Sequence, residues 1–227
     1  MKKFFIGTAL ILSCLLHLVY AQAQNGAPSE SMMISGFKQA LSIGTEKAVQ
    51  MVSKPDGFFG NQAIKIMLPD KMKVVADTLA KAGMQKQVDD FTLSMNRAAE
   101  KAAPQAASIF GGAIKDMGIE DANKIYSGGD TAATEFFKEK TSGKIFSAFK
   151  PIISSSMGEV GTTSLFNGIM SKYNAIPFMP KTSIDIEEYV TNKAMDGLFV
   201  MVGQEEKKIR TDPAARTTDA LKSVFGK

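Results

Sequence analysis

The sequence predicts an all-α fold, a single-domain bundle of about eight to ten helices with room for one very short extended ribbon. Apolar residues recur at helical spacing along almost all of the chain after residue 30, and glycine or proline separates the apolar stretches. Neither a repeat of fixed period nor a shift in composition divides the chain. With 227 residues, of which 44% are hydrophobic, it is long enough to bury a substantial core. We therefore predict one helical domain over residues 31–227.

The first part of this domain contains four stretches with a helical apolar stripe. The first covers residues 31–53 and stops at residues 54–57, whose proline, aspartate and glycine are typical of a type I turn. The second covers residues 69–83, because proline is favoured at the start of a helix and glycine just after its end. Two more stripes follow at residues 88–104 and 109–117.

The second part of the domain contains helices with clearer start and stop signals. Residues 128–131 predict a helix stop followed by an N-cap, so Asp130→Ala should weaken the next helix by roughly 1 kcal/mol. That helix should break near Gly143 and bend or restart at Pro151. Asp185 and Glu188 have the spacing of a capping box. Helices are predicted at about 120–126, 136–153, 165–173, 185–210 and 213–225.

One short stretch departs from the helical pattern. Residues 64–68 alternate briefly between apolar and other side chains, as an extended strand does. A second alternating stretch of similar quality comes only at residues 183–186, after an extended connector between Pro177 and Pro180. The two stretches could form a small two-stranded ribbon.

The N-terminus has the composition of a secretory signal. Two lysines precede an apolar run at residues 4–19, and the small residues Ala21 and Ala23, separated by one residue, fit cleavage after Ala23. We predict a signal peptide over residues 1–23 and a flexible, polar lead-in over residues 24–30. The alternative is a lipoprotein, because residues 11–14 loosely resemble a lipobox that would make Cys14 the acylated first residue. Both alternatives predict export to the periplasm or cell envelope.

Removal of the leader would exclude several kinds of chemistry. Cys14 and His17 are the sole cysteine and histidine, and the chain has no tryptophan. Without them the protein lacks the groups for Cys-His or Ser-His-Asp catalysis, histidine-ligated zinc and thiol redox chemistry. No calcium-loop spacing appears, so no metal or other cofactor is predicted. Lysine and arginine are spread along the chain, which argues against nucleic acid binding.

The leader also bears on membrane attachment. Its apolar run is short and contains polar residues, so it is a poor membrane span. We therefore expect no transmembrane span in the mature chain, and membrane anchoring only if Cys14 is acylated.

The stretch at residues 88–104 contains the first candidate site. On a helix, Asp89, Asn96 and Glu100 lie on about one face, and Arg97 lies beside Glu100. A pair of carboxylates facing a cleft could perform acid–base hydrolysis, as in glycosidases. The alternative is a solvated or salt-bridged helix face. The candidates for a ligand-binding or polar network are Asp90, Asn96, Arg97, Asp130, Asp196 and Arg210.

A second candidate is Asp196, which stands alone in an apolar run at residues 194–202. This run predicts a helix at the buried centre of the bundle. A buried carboxylate needs a cation, which Arg97 or Arg210 could supply, or it lines a pocket. Residues 205–208 are charged and predict a solvated face. Asp196→Ala is therefore expected to be more destabilising than Glu206→Ala.

Several motifs together resemble the bacterial domain-of-unknown-function family 4197, and the similarity extends from about Ser31 to Gly226. This resemblance implies an exported or lipid-anchored helical bacterial protein, and it implies no reaction. The motifs lie at residues 53–58, 88–104, 128–134, 172–178 and 203–217.

The composition leads to a hypothesis about function. The chain contains 15 phenylalanines and 14 methionines, and methionine adapts to irregular apolar partners. Most of these side chains should form the core, and Phe58 and Phe59 should cap it or contact a ligand or membrane. We expect a non-enzymatic extracytoplasmic helical protein that binds an apolar small molecule or a protein partner. The alternative is a carboxylate-dependent hydrolase of envelope glycans, with Glu100 and either Asp89 or Asp196 as its pair.

Overall fold

The computed structural model describes residues 30–159, 162–175 and 184–225. The predictions for the leader, Cys14 and most of the lead-in lie outside these residues. The predicted all-α single domain is confirmed. Helices α1 to α9 are Glu30–Ser53, Asp70–Lys81, Gln85–Ala102, Gln105–Asp116, Ile119–Ser127, Ala132–Glu159, Thr162–Asn174, Ile186–Thr211 and Asp219–Phe225.

The core forms around the long helices α6 and α8, which pack against each other and against α3, while α1 packs on α8. Aromatic rings connect three helices, since the Phe110 ring lies 5.2 Å from that of Phe137 and 6.1 Å from that of Phe199. Met95 and Met157 are fully buried in the same core. The methionine and phenylalanine content therefore serves mainly to fill the interior.

Several predicted boundaries are confirmed. Gly57 N–H donates to the Lys54 carbonyl at 2.9 Å, which closes the turn after α1. Gly83 has φ 78°, the left-handed conformation that ends a helix without strain when the residue is glycine. At the start of α8, the Asp185 side chain accepts from Glu188 N–H at 2.9 Å. These are local signals, so the sequence was sufficient to locate them.

Two helix predictions were wrong. Helix α6 neither breaks near Gly143 nor restarts at Pro151, because Phe149 and Ile153 are fully buried on either side of the proline and this packing outweighs the local helix-breaking tendency. The predicted helix at 213–225 is divided into a 3₁₀ turn, Pro213–Ala215, and α9. Asp212 caps the turn by accepting from Ala214 N–H at 2.9 Å.

The possible ribbon is absent from the described residues, and residue 183 lies outside them. Residues 65–69 have no regular secondary structure, although burial alternates from Ile64 to Met67 as in an extended strand. Both backbone polar groups of Ile66 bond to the side chain of Asn96 instead of to a strand. Among the described helices, none combines the length and the hydrophobicity that a membrane span requires.

A close helix contact yields a stability prediction. A Cβ atom on Gly197 would lie 2.6 Å from the buried Phe58 ring and 3.1 Å from Ile64 Cβ. Gly197→Ala should therefore lower the free energy of unfolding by roughly 1–3 kcal/mol. Gly143, which has open space around it within α6, provides the matched control, and Gly143→Ala should raise stability by about 0.5–1 kcal/mol. Urea unfolding of both variants tests the contrast; a neutral Gly197→Ala would show that α8 is not so closely packed there.

Candidate functional site

Helices α2 and α3 form one side of an open groove of about 560 Å³, which we call the hairpin groove. Only residues 82–84 connect the two helices, which therefore fold back against each other. Residues 59–68 close the groove at the end away from this connection. Charged and polar side chains in the lining are Lys65, Lys73, Asp77, Gln85, Asp89 and Thr92. Apolar side chains in the lining are Phe59, Met67, Leu68, Ala76, Ala80 and Val88.

The end of the groove formed by residues 59–68 carries its largest apolar side chains. Met67 is 57% exposed although it is a large hydrophobic residue. Phe59 is half-buried, and the Lys65 ammonium lies 3.9 Å from the centre of its ring, a cation–π contact. Tyr189 on α8 donates its hydroxyl to the Met67 carbonyl at 2.9 Å. The Met67 side chain is thus left in solvent while its backbone is held.

Asn96 holds the wall of the groove in place. Its side chain is completely buried, accepts from Ile66 N–H at 2.8 Å and donates to the Ile66 carbonyl at 2.9 Å. One amide thereby satisfies the two backbone groups that a neighbouring strand would otherwise satisfy. This candidate from the sequence lies behind the groove, where it positions Met67 and Leu68.

Glu100 on α3 binds the turn that follows α1, which contains Phe58 and Phe59. Its side chain is 6% exposed, and one oxygen accepts from Phe58 N–H at 3.0 Å and Phe59 N–H at 3.2 Å. Its other oxygen accepts from Arg97 at 2.6 Å, and Arg97 also contacts Asp56 at 2.7 Å. The hydrogen bond to Glu100, and then that to Asp56, raise the pKa of the Arg97 guanidinium above its ordinary value. Both Glu100 oxygens are therefore engaged in holding Phe58 and Phe59 in place.

The remaining acidic candidates on α3 are exposed. Asp89 lines the hairpin groove and accepts from the Gln85 amide at 2.8 Å. Asp90 forms an exposed pair with Lys86 at 2.7 Å. Asp89 lies in an open groove, whereas Glu100 is covered by the turn that it binds. The groove that Asp89 lines does not include Glu100.

A second buried carboxylate, Glu206, caps α6 from across the bundle. Its side chain is 7% exposed and accepts from Ala133 N–H at 2.9 Å and Thr134 N–H at 2.8 Å. The first backbone N–H groups of a helix lack partners within the helix, and a carboxylate also interacts favourably with the helix dipole there. Arg210 pairs with Glu206 at 2.9 Å and donates to the Ile125 carbonyl at 2.8 Å. This arrangement joins α5, α6 and α8.

The Glu206 contacts correct the prediction for Asp130. Helix α6 begins at Ala132, after Asp130, and the carboxylate of Glu206 performs the capping. Among the described residues, Asp130 has no hydrogen-bonded or ionic partner, and it is exposed. Local sequence placed the helix start correctly but identified the wrong capping group, because the cap comes from a distant helix.

The predictions for Asp196 and for the two glutamates of the charged run were also wrong, whereas Lys207 and Lys208 are exposed as predicted. Asp196 is exposed, together with Lys193 and Val200, since these residues share the one stripe of α8 that faces solvent. Instead, Glu205 and Glu206 are the buried acidic residues of this helix. Glu205 pairs with Lys47 on α1 at 2.9 Å, and Arg210 serves Glu206 rather than Asp196.

The groove residues that sequence reasoning missed include Lys65, Met67, Lys73 and Asp77. The alternation at residues 64–68 was a usable signal, because it placed Met67 opposite its buried neighbour Ile66. No local sequence signal indicates that these residues lie close to Asp89. Their proximity depends on the way α2 and α3 fold back against each other.

A family model described as a protein of unknown function, DUF4197, matches residues 27–226, in agreement with the family resemblance of the sequence motifs. No curated protein and no solved structure matches the chain significantly. Two pairs of the family-like motifs meet in the fold. Glu100 in residues 88–104 binds Phe58 in residues 53–58, and Glu206 in residues 203–217 binds Thr134 in residues 128–134.

Proposed function

The chain belongs to DUF4197, a family of proteins of unknown function, and we propose that its own role is to hold a segment of a partner protein in the hairpin groove without chemical reaction. The observation that carries this proposal is the groove itself. Its volume of about 560 Å³ falls in the range of roughly 300–1,000 Å³ typical of ligand sites. An exposed methionine at its end is a side chain that adapts to different apolar partners.

A protein segment fits this groove better than an apolar small molecule does. The groove is open and carries four charged side chains, Lys65, Lys73, Asp77 and Asp89, around its apolar lining. A lipid chain would leave these charges without counterparts, whereas a peptide can match them. Two described cavities lined mainly by apolar core residues have volumes of only about 30 and 10 Å³, far below the size of a lipid.

The hydrolase alternative gains no support from the geometry. Glu100 is buried with both oxygens bound, so neither is free to transfer a proton to a substrate. Asp89 and Asp196 are exposed on different helices. The contacts favour a structural role for Glu100, which holds the turn at Phe58. Asp89 contributes a charged side chain to the lining of the groove.

We place this activity in the bacterial periplasm or cell envelope, on the basis of the leader composition alone. In either location the partner would be a protein of the same compartment. The mass of the mature N-terminus, expected at Gln24, tests the signal peptide against acylated Cys14.

Substitution of Met67 tests the proposed function. Peptides selected from a random displayed library for binding to the protein should lose roughly tenfold or more in affinity when Met67 becomes Asp, because a charge would replace an apolar contact. Met67 is exposed, so the variant should still fold. Its matched control is Val74→Asp, which changes a 54% exposed residue of α2 outside the groove lining and should leave affinity unchanged.

Chemical shift changes on peptide addition should concentrate at Lys65, Met67 and Asp89. Selected peptides that bind Met67→Asp as tightly as the original protein would contradict the proposal, as would a library that yields no binder.

A further inference from the structure

The hairpin groove has opposite charges at its two ends, and we infer that it takes an extended peptide with an acidic side chain at one end and a basic side chain at the other. The acidic side chain would lie at Lys65 and Lys73, and the basic one at Asp77 and Asp89. This inference rests on the proposed function and adds the chemistry and orientation of the bound segment.

The hairpin geometry separates the charges. Asp77 and Asp89 each lie six residues along the chain from Gly83, at the end where α2 leads into α3. Lys73 lies four residues before Asp77, which is about 6 Å further from that end along α2. The two acidic side chains therefore share the connected end of the groove.

Lys65 marks the opposite end. Its neighbour Ile66 forms hydrogen bonds to the side chain of Asn96 on α3. Asn96 lies seven residues beyond Asp89, which corresponds to about 10 Å along the helix. The contact of the Lys65 ammonium with the Phe59 ring, at 3.9 Å, holds the charge beside the apolar part of the groove. A carboxylate on a ligand would meet two lysines at this end.

The charged side chains of Lys73 and Asp89 in the groove lining remain available to a ligand. Lys73 pairs with Asp70 at 2.7 Å, but both side chains are largely exposed and Asp70 is outside the groove lining. An exposed pair of this kind is weak and can exchange partners. Asp89 accepts from Gln85 through one oxygen, and its other oxygen has no hydrogen-bond donor among the described residues.

The distances set the spacing of the peptide. An extended chain advances about 3.3 Å per residue, so a separation of about 6–10 Å corresponds to two to four positions once side-chain reach is included. Apolar residues between the two charges would face Leu68, Ala76 and Val88. The expected ligand is therefore a short extended segment with an acidic residue, an apolar centre and a basic residue.

The first test compares two synthetic peptides by NMR titration at low salt. Acetyl-Glu-Leu-Ala-Leu-Lys-amide should bind at least about fivefold more tightly than the same peptide with Gln in place of Glu and Lys, and added salt should reduce the difference. If the protein binds the two peptides equally and the Met67→Asp variant binds neither, the charge preference is overturned while the proposed function stays intact. Absence of binding by either peptide at millimolar concentration would overturn the inference, and the library selection decides separately whether the groove binds peptides at all.

The second test reverses one charge. Lys73→Glu should lower the affinity for the charged peptide about fivefold. Replacing the Glu of the peptide by Lys should restore binding to this variant. Lys71→Glu makes the same change of net charge on α2 outside the groove lining and should have little effect. Equal weakening by Lys71→Glu and Lys73→Glu would attribute the effect to net charge and overturn the inference.

Discussion

Glu206→Ala is expected to lower the free energy of unfolding by roughly 3–5 kcal/mol, because it removes the partner of a buried arginine and leaves helix N–H groups unsatisfied. Arg210 is 12% exposed and would lose the carboxylate with which it pairs, while it keeps its bond to the Ile125 carbonyl. Ala133 and Thr134 N–H would lose the carboxylate that caps α6. Urea unfolding followed by circular dichroism measures the loss.

Two control variants distinguish the loss of the Glu206 contacts from the loss of any carboxylate on α8, and the loss of its charge from the loss of its hydrogen bonds. Asp196→Ala, on the exposed stripe of the same helix, should change stability by no more than about 0.5 kcal/mol. Glu206→Gln keeps a hydrogen-bond acceptor but removes the charge, so its loss should fall between the two alanine variants. If Glu206→Ala and Asp196→Ala shift the urea midpoint equally, Glu206 is not the α6 cap.

Glu100→Ala should cost about 2–4 kcal/mol, since it leaves two backbone donors of the adjacent turn without their acceptor, whereas Arg97 is 38% exposed and keeps its pair with Asp56. Amide hydrogen exchange at Phe58 and Phe59 should accelerate in this variant, because both N–H groups bond to Glu100. The apolar end of the hairpin groove should therefore lose order along with overall stability.

An exposed ion pair provides the comparison for Glu100. Glu159 pairs with Lys101 at 2.8 Å in solvent, so Glu159→Ala should cost only about 0–1 kcal/mol. Exchange at Phe58 and Phe59 should be unaffected by it. Unchanged exchange in Glu100→Ala would mean that the turn is held by the Phe58 side chain alone and that Glu100 is free for another role.

Local signals were sufficient for most of the fold. The apolar spacing predicted the helices, and Asp185 and Gly83 marked real boundaries. The predicted restart at Pro151 was wrong because a local rule was applied where buried neighbours on both sides, such as Phe149, keep the helix continuous.

The candidate site was harder to predict, because its parts are distant in sequence. Glu206 belongs to a charged run that is typical of a solvated surface, and its partner N–H groups lie more than seventy residues earlier. Periodicity placed Asn96 and Glu100 on one face of α3, but it contains no information about the turn that covers them. The groove likewise combines Lys65 with Asp89 through tertiary packing alone.

The position of α8 near the C-terminus has a consequence for biosynthesis. This helix packs against α1, α3 and α6, yet it is synthesised after all of them. A nascent chain that has not reached residue 211 therefore lacks the surface that covers the apolar faces of the earlier helices. The core therefore cannot be completed before α8 has been synthesised, and any truncation before α8 should leave a chain prone to aggregation and degradation.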